Sequence, residues 1–459
     1  MGDLADTICA LSTTPGRSGI AMVRVSGAMS FPLLHKFFRS GKYPDKAPPR
    51  VAMLGYVVDP RDGSRIDQVM ATCFPHPNSY TGQDLVEYTL HGSPVLIATL
   101  LDALCASGAR LADPGEFTMR AFLNGRMDLS QAEAVRDIID ATTLYQARVA
   151  LRQHSGEVAR QLEPLKRRLI DIIINLESTI EFAEEDLPLA SREILLQKME
   201  DVRRELRSWI GSFRKGRIVR DGFSLAIIGR PNVGKSSIFN ALLAQDRSIV
   251  AEMPGTTRDL ISEFTNIEGI PVRLLDTAGI HSSDDSIEKL GIDRSLQAIA
   301  EAGEILLVID TSRPQIPQDS TLKHQLGHLP YILVLNKSDL PSRWLVEQIS
   351  GYAGNRPYLE VSARTGSGID ALRSAILKGI LGGSMHQDGI MVTNLRHCHC
   401  LEGAERDLER AIESLREGLS EEFVLLDLHA GLKKLGMITG ETDVDDLLTE
   451  IFSHFCIGK

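Results

Sequence analysis

Gly229-Arg230-Pro231-Asn232-Val233-Gly234-Lys235-Ser236 follows directly on the apolar run Phe223 to Ile228 and leads into a helical pattern of Ile238, Leu242 and Leu243. A strand that empties into a glycine-containing loop, which in turn opens a helix, is built to hold phosphate. The glycines at 229 and 234 let the backbone curl with its N–H groups turned inward. Lys235 can reach the outer phosphates and the Ser236 hydroxyl can ligate Mg²⁺, so Asn232, Val233, Gly234, Lys235, Ser236 and Ser237 are read as one phosphate-binding segment.

Three more motifs follow in order, each at the end of an apolar run. Asp276-Thr277-Ala278-Gly279 succeeds Val272 to Leu275; its Asp can hold the Mg²⁺ water shell and its Gly N–H can meet a γ-phosphate. Asn336-Lys337-Ser338-Asp339 succeeds Tyr331 to Leu335, where loops beyond the carboxyl ends of parallel strands face a ligand. The Asp339 carboxylate can accept two N–H bonds from a guanine edge, whereas adenine would leave it unpaired, a discrimination on the order of 10⁴-fold. Ser362-Ala363-Arg364, after Leu359 to Val361, fits a last guanine-contacting loop. Together the four motifs specify GTP and Mg²⁺.

The chain of 459 residues has room for about three domains. A net charge of −11 argues against a broad basic surface coating nucleic acid, though not against a local basic patch. The cysteines at 9, 73, 105, 398, 400 and 456 form no disulfide framework in a chain of this size and fit a reducing compartment. The first residues lack a secretory or transit pattern, and no stretch approaches 18 uninterrupted apolar residues, so the expectation is a cytoplasmic protein with no membrane span.

Organisation changes along the chain. Short apolar strands at Ile20 to Val25, Val51 to Val58, Gln68 to Cys73 and Leu85 to Leu90, with a helix from Ser93 to Ser107, predict a small α+β domain over 1–122. From Ser130 the pattern turns to long helices. Leu162, Leu165, Leu169, Ile172, Ile173, Leu176 and Ile180 recur at steps of three and four, a stripe that requires a covering helix. Leu408, Ala411, Ile412, Leu415 and Leu419 resume this period, and a last helix is expected from about Val444 with Thr442 as N-cap. The expected fold is therefore an α/β and α+β multidomain chain. A P-loop GTPase domain (219–380) is inserted into a helical domain whose halves are 123–218 and 381–459, with Gly382-Gly383-Ser384 and the polar stretch to Gly389 as exit linker.

Pro15-Gly-Arg-Ser-Gly-Ile20, Ser79-Tyr-Thr-Gly-Gln-Asp-Leu-Val-Glu87, Pro114-Gly-Glu-Phe-Thr118, Arg120-Ala-Phe-Leu-Asn-Gly-Arg126 and Cys456-Ile-Gly-Lys459 together resemble the MnmE (TrmE) family of tRNA-modification GTPases over essentially the whole chain. The resemblance implies a homodimer built through an N-terminal domain that binds 5,10-methylene- or 5-formyl-tetrahydrofolate. It implies a partner, FAD-dependent MnmG (GidA), with which the protein installs an aminomethyl or carboxymethylaminomethyl group at C5 of the wobble uridine of certain tRNAs.

Residue by residue, the resemblance assigns Ala251, Glu252, Met253, Pro254, Gly255, Thr256 and Thr257 to the nucleotide site. Thr257 and Ser236 would ligate Mg²⁺; Asn232, Ala251, Met253 and Thr256 would hold K⁺ where other GTPases place an arginine finger. Ile280 stands where a Ras-like enzyme has its water-orienting Gln, and Glu288 matches the family residue that takes over that work. Arg230 remains open as a finger within the loop. Read without the family, Glu288 would be a solvated helix-face carboxylate, and His281 stands where close relatives often carry Arg. The folate is matched to Arg24, Glu87, Arg126 and Lys459: cations for the glutamate-tail carboxylates, a carboxylate for the pterin N–H pair. Members commonly carry Lys at the position of Arg126.

Cys456 has three readings: a prenylated terminus, disfavoured by Gly458 and Lys459; a structural thiol on the Ile451, Phe452 and Phe455 face; or, by the resemblance, a group beside the folate that acts on the uridine. His397-Cys398-His399-Cys400 offers metal-ligand types, but four consecutive residues on a helix point to all sides, so the run is read as a helix start. Two functions stand against each other: a GTP-hydrolysing subunit of tRNA wobble-uridine modification, or a GTPase switch in ribosome assembly without modification chemistry. The second would more naturally bring a basic RNA-binding domain, which the composition does not supply.

Overall fold

The computed structural model describes residues 5–40, 48–181, 191–244, 262–276, 303–327, 329–354, 356–381, 391–442, 448 and 451–458. The chain divides into two compact units. One comprises Met1–Arg136, Leu151–Val202 and Arg406–Lys459; the other comprises Asp137–Ala150 and Arg203–Glu405.

The first unit holds one sheet of β1 (Thr7–Leu11), β2 (Ser18–Ser26), β3 (Phe38–Arg39), β4 (Met53–Val58), β5 (Arg65–Phe74), β6 (Leu85–Gly92) and β7 (Ala109–Leu111). The order is β3-β4-β5-β6-β2-β1-β7, antiparallel throughout except for β1 beside β7. Alternation sets its core face: Met53 and Val57 on β4 are buried while Leu54 and Tyr56 between them are exposed. Helices α1 (Ser30–Phe37) and α2 (Pro94–Ala106) close that face with Leu33, Phe37, Leu100 and Leu104 against Val23, Val25, Val69 and Tyr88. Pro94 sits in the first turn of α2, where its missing N–H has no cost.

Four helices continue the chain: α3 (Glu116–Leu123), α4 (Leu129–Asp140), α5 (Leu144–His154) and α6 (Glu157–Glu181). On α6 the expected stripe from Leu162 to Leu176 is buried, and the helix Glu421–Thr439 packs on it. Ile180, in the last turn, is 41% exposed and does not belong to the covered stripe. In the helix Leu395–Glu417, Leu408, Ala411, Ile412 and Leu415 are buried as the periodicity requires. Leu419 departs from the expectation: Gly418, at φ +76°, ends the helix and leaves Leu419 exposed. The chain is helical at Leu448 and over 451–453, and the Thr442 hydroxyl donates to the Lys433 carbonyl; residues 443–447, and the expected linker 382–389, lie outside the described residues. The run from His397 to Cys400 opens the helix Leu395–Glu417, with Cys398 and Cys400 buried.

The second unit is a mostly parallel sheet of β8 (Phe223–Ile228), β9 (Ser262–Ile267), β10 (Ile270–Asp276), β11 (Glu304–Asp310), β12 (Ile332–Asn336) and β13 (Tyr358–Val361), in the order β13-β12-β11-β8-β10-β9. Only the edge strand β9 runs antiparallel to its neighbour. Side chains alternate between two cores. Leu306 and Val308 join α8 (Lys235–Ala244) and the helix Ile369–Leu381 on one face; Ile305, Leu307 and Ile309 join the helices Pro317–Leu326 and Val346–Ala353 on the other. Burial on both faces explains why β11 reads as a continuous apolar run. Among the described residues, no helix is long and apolar enough to cross a membrane.

Candidate functional site

The sheet register brings the nucleotide motifs to one edge. Asp276 pairs with Ile227 at the end of β8, Asp310 with Asn336, and Asn336 with Val361, so the loops after β8, β10, β11, β12 and β13 all leave the sheet at the carboxyl ends of its parallel strands. That edge is where an open α/β sheet binds its ligand.

Glycine is required twice in the loop after β8. A Cβ at Gly229 would run into the Val308 carbonyl, and one at Gly234, φ +97°, into the Asn336 amide. Lys235 opens α8, is 8% exposed, and folds back over the loop to donate to the Gly229 and Arg230 carbonyls at 2.9 Å each. Ser236 and Ser237 stand exposed in the first turn, where the helix dipole favours an anion and the Ser236 hydroxyl is open to a cation. Two non-glycine residues of this edge are left-handed, Asn232 at φ +65° and Lys337 at φ +66°, and Lys337 Nζ donates to the Asn232 carbonyl at 3.1 Å. Strained backbone of this kind concentrates at ligand sites.

The base-recognition loop is tied to the phosphate loop through Asn336, whose Nδ2 donates to the Val233 carbonyl at 2.9 Å and whose Oδ1 accepts from the Ala363 N–H at 3.2 Å. Asp339 is exposed, and its Oδ1 accepts from the Ser362 hydroxyl at 2.7 Å, which holds the carboxylate toward the space a base would enter. Arg364 is exposed on the same loop. Arg230 points elsewhere: its Nε lies 2.5 Å from the buried Asp319 carboxylate, an attachment to the helix Pro317–Leu326.

Asp310, at the end of β11, is a further residue of this edge that the four sequence motifs do not include. Burial pushes its carboxyl up, but the Lys337 ammonium, 2.6 Å away, and the Ser312 side chain hold it below the ordinary carboxylate value. The apolar run Ile305 to Ile309 stops at an Asp, as the run Val272 to Leu275 stops at Asp276. Thr277, Ala278, Gly279, Glu288 and the segment Ala251 to Thr257 lie outside the described residues, as does the side chain of Asp276.

The first unit carries a second constellation. Arg24 on β2 and Glu87 on β6 are cross-strand partners, with Arg24 Nε donating to Glu87 Oε1 at 2.8 Å, and the guanidinium lies 5.4 Å from the Tyr80 ring centroid. Both side chains keep 17–18% of their surface, so the pair is reachable by a ligand. Arg126 is exposed, with its aliphatic stem against Gly82 of the loop that carries Tyr80. Gly458, at φ +92°, seats the C-terminal tail where a Cβ would strike the Leu11 carbonyl of β1. Cys456 is exposed, and its carbonyl accepts from Gly115 N–H at 3.4 Å; Phe452 and Phe455 beside it are buried. Lys459 lies outside the described residues.

Other motif residues of this unit turn out to be architectural. Arg120, fully buried, donates to Glu116 at 2.8 Å, to Asp6 and to Gln83, while Arg110 donates to Glu116 at 2.7 Å and to Asp6 at 2.8 Å. Burial raises the Asp6 and Glu116 carboxyls and the two guanidiniums more than reverse it, leaving both below their ordinary values. The network fixes the Ser79–Gln83 loop that presents Tyr80.

Two family models match: "GTP-binding protein TrmE N-terminus" over residues 7–126 and "MnmE helical domain" over residues 129–456. Proteins described as tRNA modification GTPase MnmE are similar over their full length. The one from Koribacter versatilis is 44% identical over 463 residues, covering 100% of both chains; that of Aquifex aeolicus is 41% identical over 457 residues, covering 99% of this chain and 100% of its own. Among solved structures, Era in complex with MgGDPNP and 16S ribosomal RNA nucleotides is 29% identical with a TM-score of 0.29, covering 40% of this chain and 66% of that one. The G domain of the T. maritima FeoB transporter is 28% identical with a TM-score of 0.26, covering 34% and 97%.

Proposed function

Given that the chain belongs to the MnmE/TrmE family of tRNA-modification GTPases, we propose that it is the GTP-hydrolysing subunit of a complex with MnmG that modifies C5 of the tRNA wobble uridine with a folate-borne one-carbon unit. The observation that carries the reading is the presence in one chain of two ligand constellations: a guanine-nucleotide edge and the Arg24–Glu87 pair, in the unit that also seats the C-terminal tail on Leu11 of β1.

At the nucleotide edge, the loop N–H groups and Lys235 bind the phosphates, Ser236 and Thr257 hold Mg²⁺, and Asp339 accepts the guanine N–H pair. Asn232, Ala251, Met253 and Thr256 are proposed to hold K⁺, which supplies fixed positive charge beside the phosphates; Arg230, paired with Asp319, leaves that place to it. Glu288 orients the attacking water. In the N-terminal domain Arg24, Arg126 and Lys459 offer cations to the folate carboxylates and Glu87 accepts the pterin N–H pair, with Cys456 at the uridine. A reduced folate of the methylene or formyl kind supplies the one-carbon unit. The proposed domains are 1–122, 123–218 with 381–459, and 219–380, assembled as a homodimer through the first.

Mass spectrometry of digested tRNA from a strain lacking the gene tests the reading: wobble uridines should lose the C5 substituent, and unchanged nucleosides would return the case to a GTPase switch without modification chemistry. The cation assignment is tested by GTP turnover in K⁺ against Na⁺ at matched ionic strength. Faster turnover in K⁺ is expected, and equal rates would remove the Asn232 site.

A further inference from the structure

Helix α5 begins with a capping box. Thr143 Oγ1 accepts from the Gln146 N–H at 3.2 Å and Gln146 Oε1 accepts from the Thr143 N–H at 3.0 Å, the reciprocal bonds of Thr-x-x-Gln. In most helices such a box faces water. Here Thr143 is 6% and Gln146 9% exposed, and each has a further partner.

The Thr143 hydroxyl donates to the Gly269 carbonyl at 2.6 Å, and the Gln146 amide donates to the Arg220 carbonyl at 2.6 Å. Tyr145, between them, lies against Gly269, where φ is +91° and an added Cβ would come within 2.7 Å of Tyr145 Cβ, so no side chain is admitted. Arg220 is itself held 2.7 Å from Asp137.

The two carbonyls belong to the two routes into the nucleotide edge. Arg220 is the penultimate residue of α7 (Arg192–Asp221), three residues before β8, which leads into the phosphate loop. Gly269 is the tip of the β9–β10 hairpin. That hairpin is a ladder of six residue pairs from Ile270↔Ile267 to Leu275↔Ser262. At its open end β10 finishes on Asp276 and β9 starts five residues after Thr257. A ladder is stiff along its strands, and β9 is an edge strand held on one side only, so displacement at its open end is carried to the tip.

We propose that the capping box of α5 is a relay that senses nucleotide state: Thr143 and Gln146 act as positioning residues that couple the hairpin tip and the end of α7 to the first turn of α5. A displacement of β9 and β10 on nucleotide exchange reaches Gly269 along the ladder, and the Thr143 bond transmits it to α5. The inference rests on GTP binding at this edge, not on the modification chemistry.

Hydrogen exchange on the full-length protein, nucleotide-free, with GDP and Mg²⁺, and with a non-hydrolysable GTP analogue and Mg²⁺, reads each part separately. Peptides covering Lys235–Ala244, compared with the nucleotide-free protein, report that each nucleotide is bound; peptides covering 137–150, compared between the two nucleotides, report the relay. In the wild type α8 should be protected by both nucleotides and 137–150 should differ between them. In Thr143→Val the difference at 137–150 should fall about threefold or more, the weight of one hydrogen bond, while protection of α8 persists; Thr143→Ser, which keeps the hydroxyl, should restore it. A wild-type 137–150 peptide that is the same with either nucleotide while α8 is protected by both would overturn the proposal. So would a full response in Thr143→Val. The wild-type comparison needs no variant and decides the matter even if Thr143→Val does not fold.

Discussion

Asp339 shows how much of base recognition resides in a neighbour. Its carboxylate is exposed and would rotate freely but for the Ser362 hydroxyl, 2.7 Å from Oδ1. The same Ser362 oxygen accepts the Thr365 N–H at 3.2 Å, so the hydroxyl proton is committed to Asp339. Ser362→Ala is expected to weaken GTP by about tenfold, the net value of a hydrogen bond to a charged group, with the fold intact. Titration with a fluorescent GTP analogue checks this, and unchanged affinity would mean Asp339 is oriented without Ser362. The sequence placed Ser362 in the site but not its role, because a hydroxyl's partner depends on a contact between loops far apart in the chain. The place of Asp310 at a strand end is legible in the sequence but its partner is not, because nothing local pairs it with Lys337.

Among the elements, those whose pattern is set locally were legible. Strands β8 and β13 end where their apolar runs stop, β10 and β12 end one residue later, and α6 carries its buried stripe from Leu162 to Leu176. β1 and β7 were not found, being short and stabilised by pairing across the sheet more than by their own periodicity. Helix α7 buries Leu195, Met199, Val202 and Leu206 at steps of four and three, yet its dense charges mask that stripe in the sequence. The C-terminal tail is an element fixed by one glycine. Ala at 458 would meet the Leu11 carbonyl and face a left-handed backbone, a strain of about 1–3 kcal/mol. Gly458→Ala should therefore lift the tail at position 458 from β1 and lower tetrahydrofolate affinity by about tenfold or more, with circular dichroism unchanged. Equilibrium dialysis against a reduced folate decides it; wild-type affinity in the variant would exclude the tail from the site.

For the whole molecule, two compact units imply two cooperative transitions. Nucleotide binds only the second, so a GTP analogue with Mg²⁺ at about 100 times its Kd should add about 2.7 kcal/mol to that transition and leave the other in place. Acid acts on both. Asp6 and Glu116 in the first unit and Asp310 in the second titrate below their ordinary values of 3.8, 4.5 and 3.8. The unfolded chain takes up these protons first. The stabilisation is therefore complete above those values and is lost as pH falls through the depressed ones. Calorimetry at neutral pH and near pH 3.5, each with and without nucleotide, should show two peaks, both lowered by acid and one raised by ligand; a single peak that ligand moves as a whole would reject independent units.

The Asn336 amide fills the volume that a methyl group at position 234 would need, while it also holds the Val233 carbonyl. The glycine of one motif and the asparagine of another are thus a single three-dimensional slot shared between distant stretches of chain. Substitution at either position, scored alone, would confuse lost space with a lost donor. Gly234→Ala combined with a smaller residue at 336 relieves the collision and leaves only the strain of φ +97°, so the double variant separates lost space from backbone cost.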